Sequence, residues 1–255
     1  MISNFLEILI LATIQGISEF LPVSSSAHLF LISEIYEFKS QSLLIDIGLH
    51  LGSLLAIIIY FRNELKDIIN NKNLFFLLAL GSLPLIIFGA IIYKSGLINY
   101  FRNMEVIAWT TLIFALLLYI VDKFEVKRKI ETDLQLKFIL IIGLFQILAL
   151  IPGVSRSGIV ITAGRFLNFN RYDSTKISFY LSIPAIVGAS FLGLRGLVRE
   201  NIDLNLIVLI SIILSFIFSY LTIKYFLIFV KKFSLNFFVI YRIILSIILF
   251  LIIYI

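Results

Sequence analysis

A run of polar residues interrupts an otherwise apolar sequence between Gln15 and His28, and its residue types suit chemistry on a phosphate group. Ser25 and His28 are three positions apart, so on a helix they share a face and the imidazole could take the hydroxyl proton. Glu19 could hold a hard divalent cation, with the Gln15 carbonyl as a further ligand. Because an ionisable side chain in a bilayer core costs roughly 2.5–3.5 kcal/mol, this run indicates a functional site.

A second polar run, from Pro152 to Gly158, interrupts another apolar segment. Gly153 and Gly158 flank a turn that opens a helix, where free N–H groups and the helix dipole attract an anion. Arg156 adds a planar fork that matches phosphate oxygens. We interpret the two runs as halves of one phosphate-binding site, to which hydroxyl donors are contributed by Ser24, Ser155 and Ser157.

Two further polar pairs lie in apolar segments. Asp46 and His50 are four positions apart, and we expect them to line the mouth of the same cavity. Tyr241 and Arg242 begin the last apolar segment, and we interpret this arginine as snorkelling to the cytoplasmic edge of the membrane.

Composition excludes a soluble protein. Hydrophobic residues make up 61% of the 255 residues and charged residues 14%, whereas soluble domains are about half apolar. The first apolar stretch carries Glu7 and lacks a basic leader, so we expect no cleavable signal peptide. The absence of cysteine excludes disulfides and a thiolate nucleophile. The net charge of +6 is scattered over short loops, which predicts a membrane protein and no nucleic-acid partner.

The predicted elements form an all-α polytopic membrane protein. Pro22 and Pro152 each separate an apolar helix from a short one, 2–21 from 25–37 and 138–151 from 158–168. The short helices cannot cross about 30 Å of hydrocarbon at about 1.5 Å per residue, so each pair is predicted to be re-entrant. Six full spans are predicted, at 43–61, 74–93, 105–121, 175–197, 205–229 and 236–255.

The order of elements predicts an inverted repeat within a single membrane domain, 1–255. Its halves are about 1–121 and 138–255, joined by a basic cytoplasmic segment, 122–137. Because each half has three spans, an odd number, the second half starts on the opposite side of the membrane. An offset of 131 residues aligns Gln15 with Gln146, Val23 with Val154, Ser24 with Ser155 and Ser26 with Ser157.

Charge predicts the orientation. Five cations lie in the loops on one side, Lys39, Lys94, Arg102, Arg195 and Arg199. Fourteen lie on the other, Arg62, Lys66, Lys72, Lys123, Lys127, Arg128, Lys129, Lys137, Arg165, Arg171, Lys176, Lys224, Lys231 and Lys232. The positive-inside rule places the larger group in the cytoplasm and both termini outside.

The two polar runs resemble the signature motifs of the undecaprenyl-diphosphate phosphatase family, which is linked to bacitracin resistance. The likeness extends to 46–55 and 178–185 and so covers nearly the whole chain. It implies hydrolysis of a polyprenyl diphosphate to the monophosphate, which recycles the cell-wall lipid carrier, at the outer face of the bacterial cytoplasmic membrane. By this resemblance Glu19, Ser25, His28 and Arg156 fall on functional positions. Mg²⁺, with Ca²⁺ as the second choice, is the expected cation, and a homodimer is one option for assembly.

Two positions depart from the family pattern. The first acidic position is often Glu where this chain has Gln15, which makes metal binding more dependent on Glu19. The second signature usually ends in Thr where this chain has Val160. Thr162 lies about 200° further round a helix and is no substitute.

The site admits two alternatives to this function. A transporter or flippase of lipid phosphates would use the same repeat and anion cradle, yet would have no use for a hydroxyl beside an imidazole and a carboxylate. The other large class of membrane lipid phosphatases requires a Ser-Arg-x-x-x-His element, and Val160 stands where its histidine would be. For a phosphatase, the attacking group could be Ser25 or a metal-bound water.

Overall fold

Every regular element that the computed structural model describes, over residues 2–36, 42–197 and 206–255, is helical. The α-helices in these ranges are α1 (Ile2–Ser18), α2 (Ser25–Ile35), α3 (Leu43–Tyr60), α4 (Arg62–Asn70), α5 (Lys72–Ser95), α6 (Ile98–Phe101), α7 (Met104–Asp122), α8 (Ile130–Asp133), α9 (Leu136–Ile147), α10 (Arg156–Phe166), α11 (Arg171–Leu197), α12 (Leu206–Lys232) and α13 (Asn236–Tyr254). The prediction of an all-α protein is therefore confirmed for these ranges.

Five of these helices are long and apolar enough to cross a membrane, namely α3, α5, α7, α12 and α13. Polar side chains fix where several of them begin: the Ser42 hydroxyl accepts from the Ile45 N–H ahead of α3, and Asn103 accepts from Val106 N at 2.8 Å ahead of α7. The five long apolar helices confirm the prediction of a multi-pass membrane protein. Some predicted features lie outside the described ranges: the loop cations Lys39 and Arg199, the predicted end of the short helix at residue 37, and the predicted start of a span at residue 205.

The two predicted breaks are present, with shifted boundaries. Helix α1 ends at Ser18 rather than at 21, and α10 begins at Arg156 rather than at 158, because Ser155 caps it. Helices α2 and α10 each have 11 residues and begin 131 positions apart, at Ser25 and Arg156. The offset inferred from the sequence therefore recurs in the backbone.

Helices from the two predicted halves pack on one another. Helix α1 packs against α12, and its counterpart α9 packs against α5; α3 likewise contacts α12, and α11 contacts α5. Small residues allow the closest approaches: a Cβ on Gly16 would lie 2.5 Å from Phe218 Cβ, and one on Gly52 would lie 2.4 Å from Ile212 O. An aromatic core that includes Phe20 and Phe179, with rings 5.4 Å apart, lies between the elements.

The end of the bundle away from the two breaks is held by a buried ion cluster. Asp122 accepts two hydrogen bonds from Arg171, at 2.7 and 3.0 Å, and one from Leu235 N at 3.2 Å. Arg165 Nε lies 3.6 Å from the same carboxylate. The predicted basic segment, 122–137, is consequently more ordered than a plain loop, since it contains α8 and the start of α9.

Candidate active site

Glu19 is the point at which the two polar runs meet. It lies in the turn after α1 and is only 9% exposed. Its Oε1 accepts from Arg156 Nη2 at 3.0 Å, and its Oε2 accepts from Ser25 Oγ at 2.6 Å and from Gln15 Nε2 at 3.1 Å. The structure therefore brings together four of the residues that the sequence predicted for the site.

Arg156 is the first residue of α10, and its guanidinium crosses from the second break to the first. Besides the Glu19 carboxylate, it donates to Ser178 O at 3.1 Å and to Glu19 O at 3.3 Å. Its side chain is 13% exposed, so a ligand can reach it. The sequence offered no carboxylate close to this arginine along the chain, and the partner is instead 137 positions away.

The predicted contact between Ser25 and His28 is wrong. The Ser25 hydroxyl donates to Glu19, while His28 Nδ1 lies 2.6 Å from Ser24 O, and Nε2 lies 2.5 Å from the Tyr241 hydroxyl. Because a carbonyl oxygen can only accept, Nδ1 carries a proton. The i, i+3 spacing placed the two side chains on one face, but the ring turns towards the backbone one turn earlier. Glu19, not His28, is positioned to accept the serine proton.

The serine hydroxyls of the second run form hydrogen bonds within the protein and do not point into an open cavity. Ser155 Oγ accepts from Gly158 N at 3.1 Å and lies 3.2 Å from Ser157 Oγ, which in turn donates to Leu21 O at 2.5 Å. Gly153 has φ +88°, and a Cβ there would lie 2.1 Å from Thr110 Oγ1, so no larger residue fits without movement. These residues build the turn that opens α10.

Two serines with positive φ precede the short helices. Ser24 has φ 76° and Ser155 has φ 72°, and these two residues are 131 positions apart, the offset predicted for the repeat. Such backbone conformations cost about 1–3 kcal/mol for a residue with a Cβ and persist only where the surroundings enforce them. Ser24 Oγ is 3.4 Å from Ser26 Oγ, and the Ser24 carbonyl accepts from His28. Each helix is thus entered through a strained turn, which fixes the direction of Ser25 and Arg156.

Asp46 and His50 contact each other, and their place at the mouth of the site stays a prediction. His50 Nδ1 is 2.8 Å from Asp46 O, and His50 interacts electrostatically with Glu19. Asp46 interacts with His50 and with Arg102, a residue that sequence reasoning counted only as a loop cation. The Asp46 Oδ1 atom is buried and has no partner.

The interpretation of Arg242 as a snorkelling residue is wrong. Its side chain is 1% exposed, and it donates to Gly153 O and Pro22 O in the two breaks. Its neighbour Tyr241 contacts His28 through its hydroxyl and through ring stacking at 5.7 Å. Sequence reasoning missed both as site residues, although an ionisable side chain within an apolar helix is itself a signal of function.

The donor set fits a divalent cation that is shared with a substrate. Among the described residues, no group of three or more His, Asp or Glu side chains forms a closed metal site. Within the ranges that the structure describes, the buried Gln15 Oε1 atom has no hydrogen-bond partner, while Nε2 of the same side chain donates to Glu19. Mg²⁺ commonly binds one or two carboxylates and completes its shell with phosphate oxygens and water, so Glu19 and Gln15 could hold it together with a phosphate group.

The fold and this centre define a class: a multi-pass helical membrane protein in which the first residues of two short helices, a serine and an arginine, contact one buried carboxylate. Residues 8–248 match the family model described as "Bacitracin resistance protein BacA". The chain is 60% identical over 234 residues to an undecaprenyl-diphosphatase of Pelagibacter ubique (strain HTCC1062), covering 91% of each. It is 40% identical over 226 residues to one of Campylobacter curvus (strain 525.92), covering 82% of this chain and 85% of the relative. The chain belongs to the BacA family.

Proposed function

We propose that the protein hydrolyses undecaprenyl diphosphate to undecaprenyl phosphate and inorganic phosphate, a phosphoanhydride hydrolysis. The names of the relatives support this substrate. The observation that carries the chemistry is the hydrogen bond of 2.6 Å from Ser25 Oγ to Glu19 Oε2, next to the Arg156 guanidinium. A nucleophile, a base and a phosphate-binding cation therefore stand within one contact network.

The reaction begins when the terminal phosphate binds at Arg156. The guanidinium and the N-terminus of α10 bind the anionic oxygens, which weakens the ion pair between Arg156 and Glu19. Ser25 Oγ then forms a bond to the terminal phosphorus while the bridging P–O bond breaks, and Glu19 Oε2 accepts the hydroxyl proton. Undecaprenyl phosphate leaves, and water hydrolyses the phosphoserine to inorganic phosphate. The alternative nucleophile would be a water molecule activated by a cation that Glu19 and Gln15 would hold, and Ser25 would then only donate a hydrogen bond.

His28 has a supporting role in this mechanism. Its Nδ1–H holds the Ser24 carbonyl, and Tyr241 fixes the opposite edge of the ring. Since Ser24 is the strained residue before α2, this contact stabilises the turn that directs Ser25.

A divalent cation, Mg²⁺ first and Ca²⁺ second, would be held by Glu19 and Gln15. When bound, it would neutralise charge on the phosphate oxygens. The unpartnered Gln15 Oε1 supports this assignment.

The architecture that we propose is an inverted repeat with α11 as the sixth span. Its support is the common length and offset of α2 and α10, and the exchanged packing of α1 on α12 and of α9 on α5. The bias of fourteen cations to five favours cytoplasmic residues 122–137, external termini and a site open to the outer side of the bacterial cytoplasmic membrane.

A carrier of lipid phosphates is the second candidate function, since it could share the architecture and the Arg156 cradle. The Ser25–Glu19 hydrogen bond favours hydrolysis, because a carrier does not need an activated hydroxyl. Purified protein in detergent, supplied with undecaprenyl diphosphate with and without a chelator, tests the proposal. Phosphate release by the purified protein is expected, and its absence in the presence of added Mg²⁺ would favour the carrier.

A further inference from the structure

Arg242 forms an unusual set of contacts for a buried cation. Its Nη2 donates to Gly153 O at 2.9 Å and to Val154 O at 3.2 Å, and its Nη1 donates to Pro22 O at 3.4 Å. All three acceptors are main-chain carbonyls, and within the described ranges no carboxylate pairs with this arginine. Burial of a charge without a counter-charge is costly, so packing alone does not explain it.

The acceptors of Arg242 are related by the repeat. Pro22 and Gly153 are 131 positions apart, the same offset that relates Ser25 to Arg156. Each accepting carbonyl precedes its short helix by a few residues. Arg242 therefore joins equivalent points of the two breaks, one leading to the hydroxyl of Ser25 and the other to the guanidinium of Arg156.

We propose that Arg242 is a positioning residue that sets the separation of Ser25 and Arg156, so that both act on the same phosphorus. The inference rests on the proposed phosphatase activity. Arg242 is 1% exposed and is enclosed by the carbonyls of both breaks, so it supports the site from behind, whereas Arg156 is open to a ligand. A planar guanidinium holds two backbone segments in a fixed relation through its two terminal nitrogens, whereas the compact ammonium of lysine, on a flexible stem, does not fix their separation.

The proposal predicts a particular kinetic effect of Arg242→Lys. The charge remains, but the two breaks are no longer held together, so the reacting atoms are misplaced. Because misplacement by about 1 Å can cost about 10²-fold, we expect kcat to fall about 10–100-fold. Arg156 still binds the diphosphate, so KM should stay within about twofold. A rise in KM with unchanged kcat would mean that Arg242 binds substrate, and would overturn the proposal.

A distance measurement tests the positioning role without catalysis. Ile17 and Leu148 are exposed, lie just before the two breaks and are also 131 positions apart. The chain has no cysteine, so Ile17→Cys together with Leu148→Cys can carry two spin labels without background. Pulsed electron resonance should give a broader or shifted distance distribution in Arg242→Lys and in Arg242→Met than in the parent. An unchanged distribution in both variants would overturn the proposal.

Arg165→Lys is the matched control. Arg165 is also buried, at 2% exposure, and also donates to main-chain carbonyls, including Asp122 O at 3.0 Å, but it lies at the opposite end of α10. The Arg165→Lys substitution should lower the stability of the protein without changing the distance between the two spin labels. An equal change of distance in this control would mean that Arg242 acts through general stability, and would contradict the proposal. If the labelled parent released no phosphate, the proposed activity would fail while the distance measurement still reported on Arg242.

Discussion

Glu19 and Arg156 form an ion pair of 3.0 Å between the two polar runs, with side chains only 9% and 13% exposed. In a buried pair of this kind the two charges neutralise each other, and a bound phosphate can compete with the carboxylate for the arginine. In the proposed mechanism the diphosphate binds Arg156, so the Glu19 carboxylate loses this partner and becomes a better acceptor for the Ser25 proton. The pair is thus neutral in the free protein, and we expect substrate binding to prepare the base.

Arg156→Lys should reduce diphosphate hydrolysis by about one to two orders of magnitude, about 1.4–2.8 kcal/mol at about 1.36 kcal/mol per decade. The charge is kept, but the fork that spans Glu19 and the phosphate is lost. Arg156→Ala should be worse, because it also leaves Glu19 buried without its counter-ion. Steady-state phosphate release measures both, and near-normal turnover in Arg156→Ala would leave this arginine a structural role only.

Ser25→Ala should abolish activity if the serine is the nucleophile, since no other hydroxyl donates to Glu19 in the described part of the chain. Ser26→Ala is the matched control, because Ser26 is exposed and its Oγ contacts only Ser24 Oγ, at 3.4 Å. We expect the control to retain most of its activity. Acid quenching of a single turnover should trap a phosphoserine at residue 25.

A loss of only about 10²-fold in Ser25→Ala, with no trapped phosphoserine, would instead fit a metal-bound water as the attacking group, with Ser25 as a hydrogen-bond donor. His28→Ala separates the roles further. Because His28 contacts Ser24 O and not Ser25, its loss should be milder than that of Ser25.

The sequence predicts much of this site, because ionisable side chains are costly to place in a bilayer core and so indicate function where they interrupt an apolar chain. Glu19, Ser25 and Arg156 were found in this way, and their contacts join the two runs as expected. The partner of His28 could not be predicted, since side-chain direction depends on Tyr241, 213 positions away. Arg242 was misinterpreted because its place in the first two turns of the last apolar segment also suits snorkelling, and only three-dimensional packing places it between the two breaks.

Gln15→Leu should weaken activation by Mg²⁺. The Oε1 atom of Gln15 is buried and has no hydrogen-bond partner among the described residues, so leucine removes the proposed cation ligand, together with the Nε2 hydrogen bond to Glu19. We expect the Mg²⁺ concentration for half-maximal phosphate release to rise several-fold, with a smaller change in the rate at saturation. Gln146→Leu is the control, because Gln146 is the equally buried counterpart of Gln15 in the second half. An equal response of both variants would argue against Gln15 as a ligand.

Asp122→Asn should lower the thermal stability of the protein and leave the rate of phosphate release largely unchanged. Asp122 is 4% exposed and holds Arg171 through two hydrogen bonds, far along the chain from both polar runs. Removal of one partner of a buried ion pair costs about 3–5 kcal/mol, which corresponds to a loss of about 10 °C in Tm for a chain of this size. Glu125→Gln is the control, because its pair with Lys127 is at the surface and should contribute little. Equal Tm values for the two variants would contradict the structural role of Asp122.

The proposed topology can be tested with single cysteines, since the chain contains none. Lys127 and Ile255 suit this purpose because both are exposed, with 64% exposure for the Lys127 side chain and 97% for Ile255. The excess of cations in segment 122–137 and in the other loops on its side predicts that residue 127 is cytoplasmic and residue 255 external. In intact spheroplasts, a membrane-impermeant thiol reagent should therefore label Ile255→Cys and spare Lys127→Cys, while both should react after permeabilisation. Labelling of residue 127 but not residue 255 would reverse the orientation and place the site towards the cytoplasm. Labelling of both in intact spheroplasts would contradict the odd number of spans that separates them, and with it the inverted repeat.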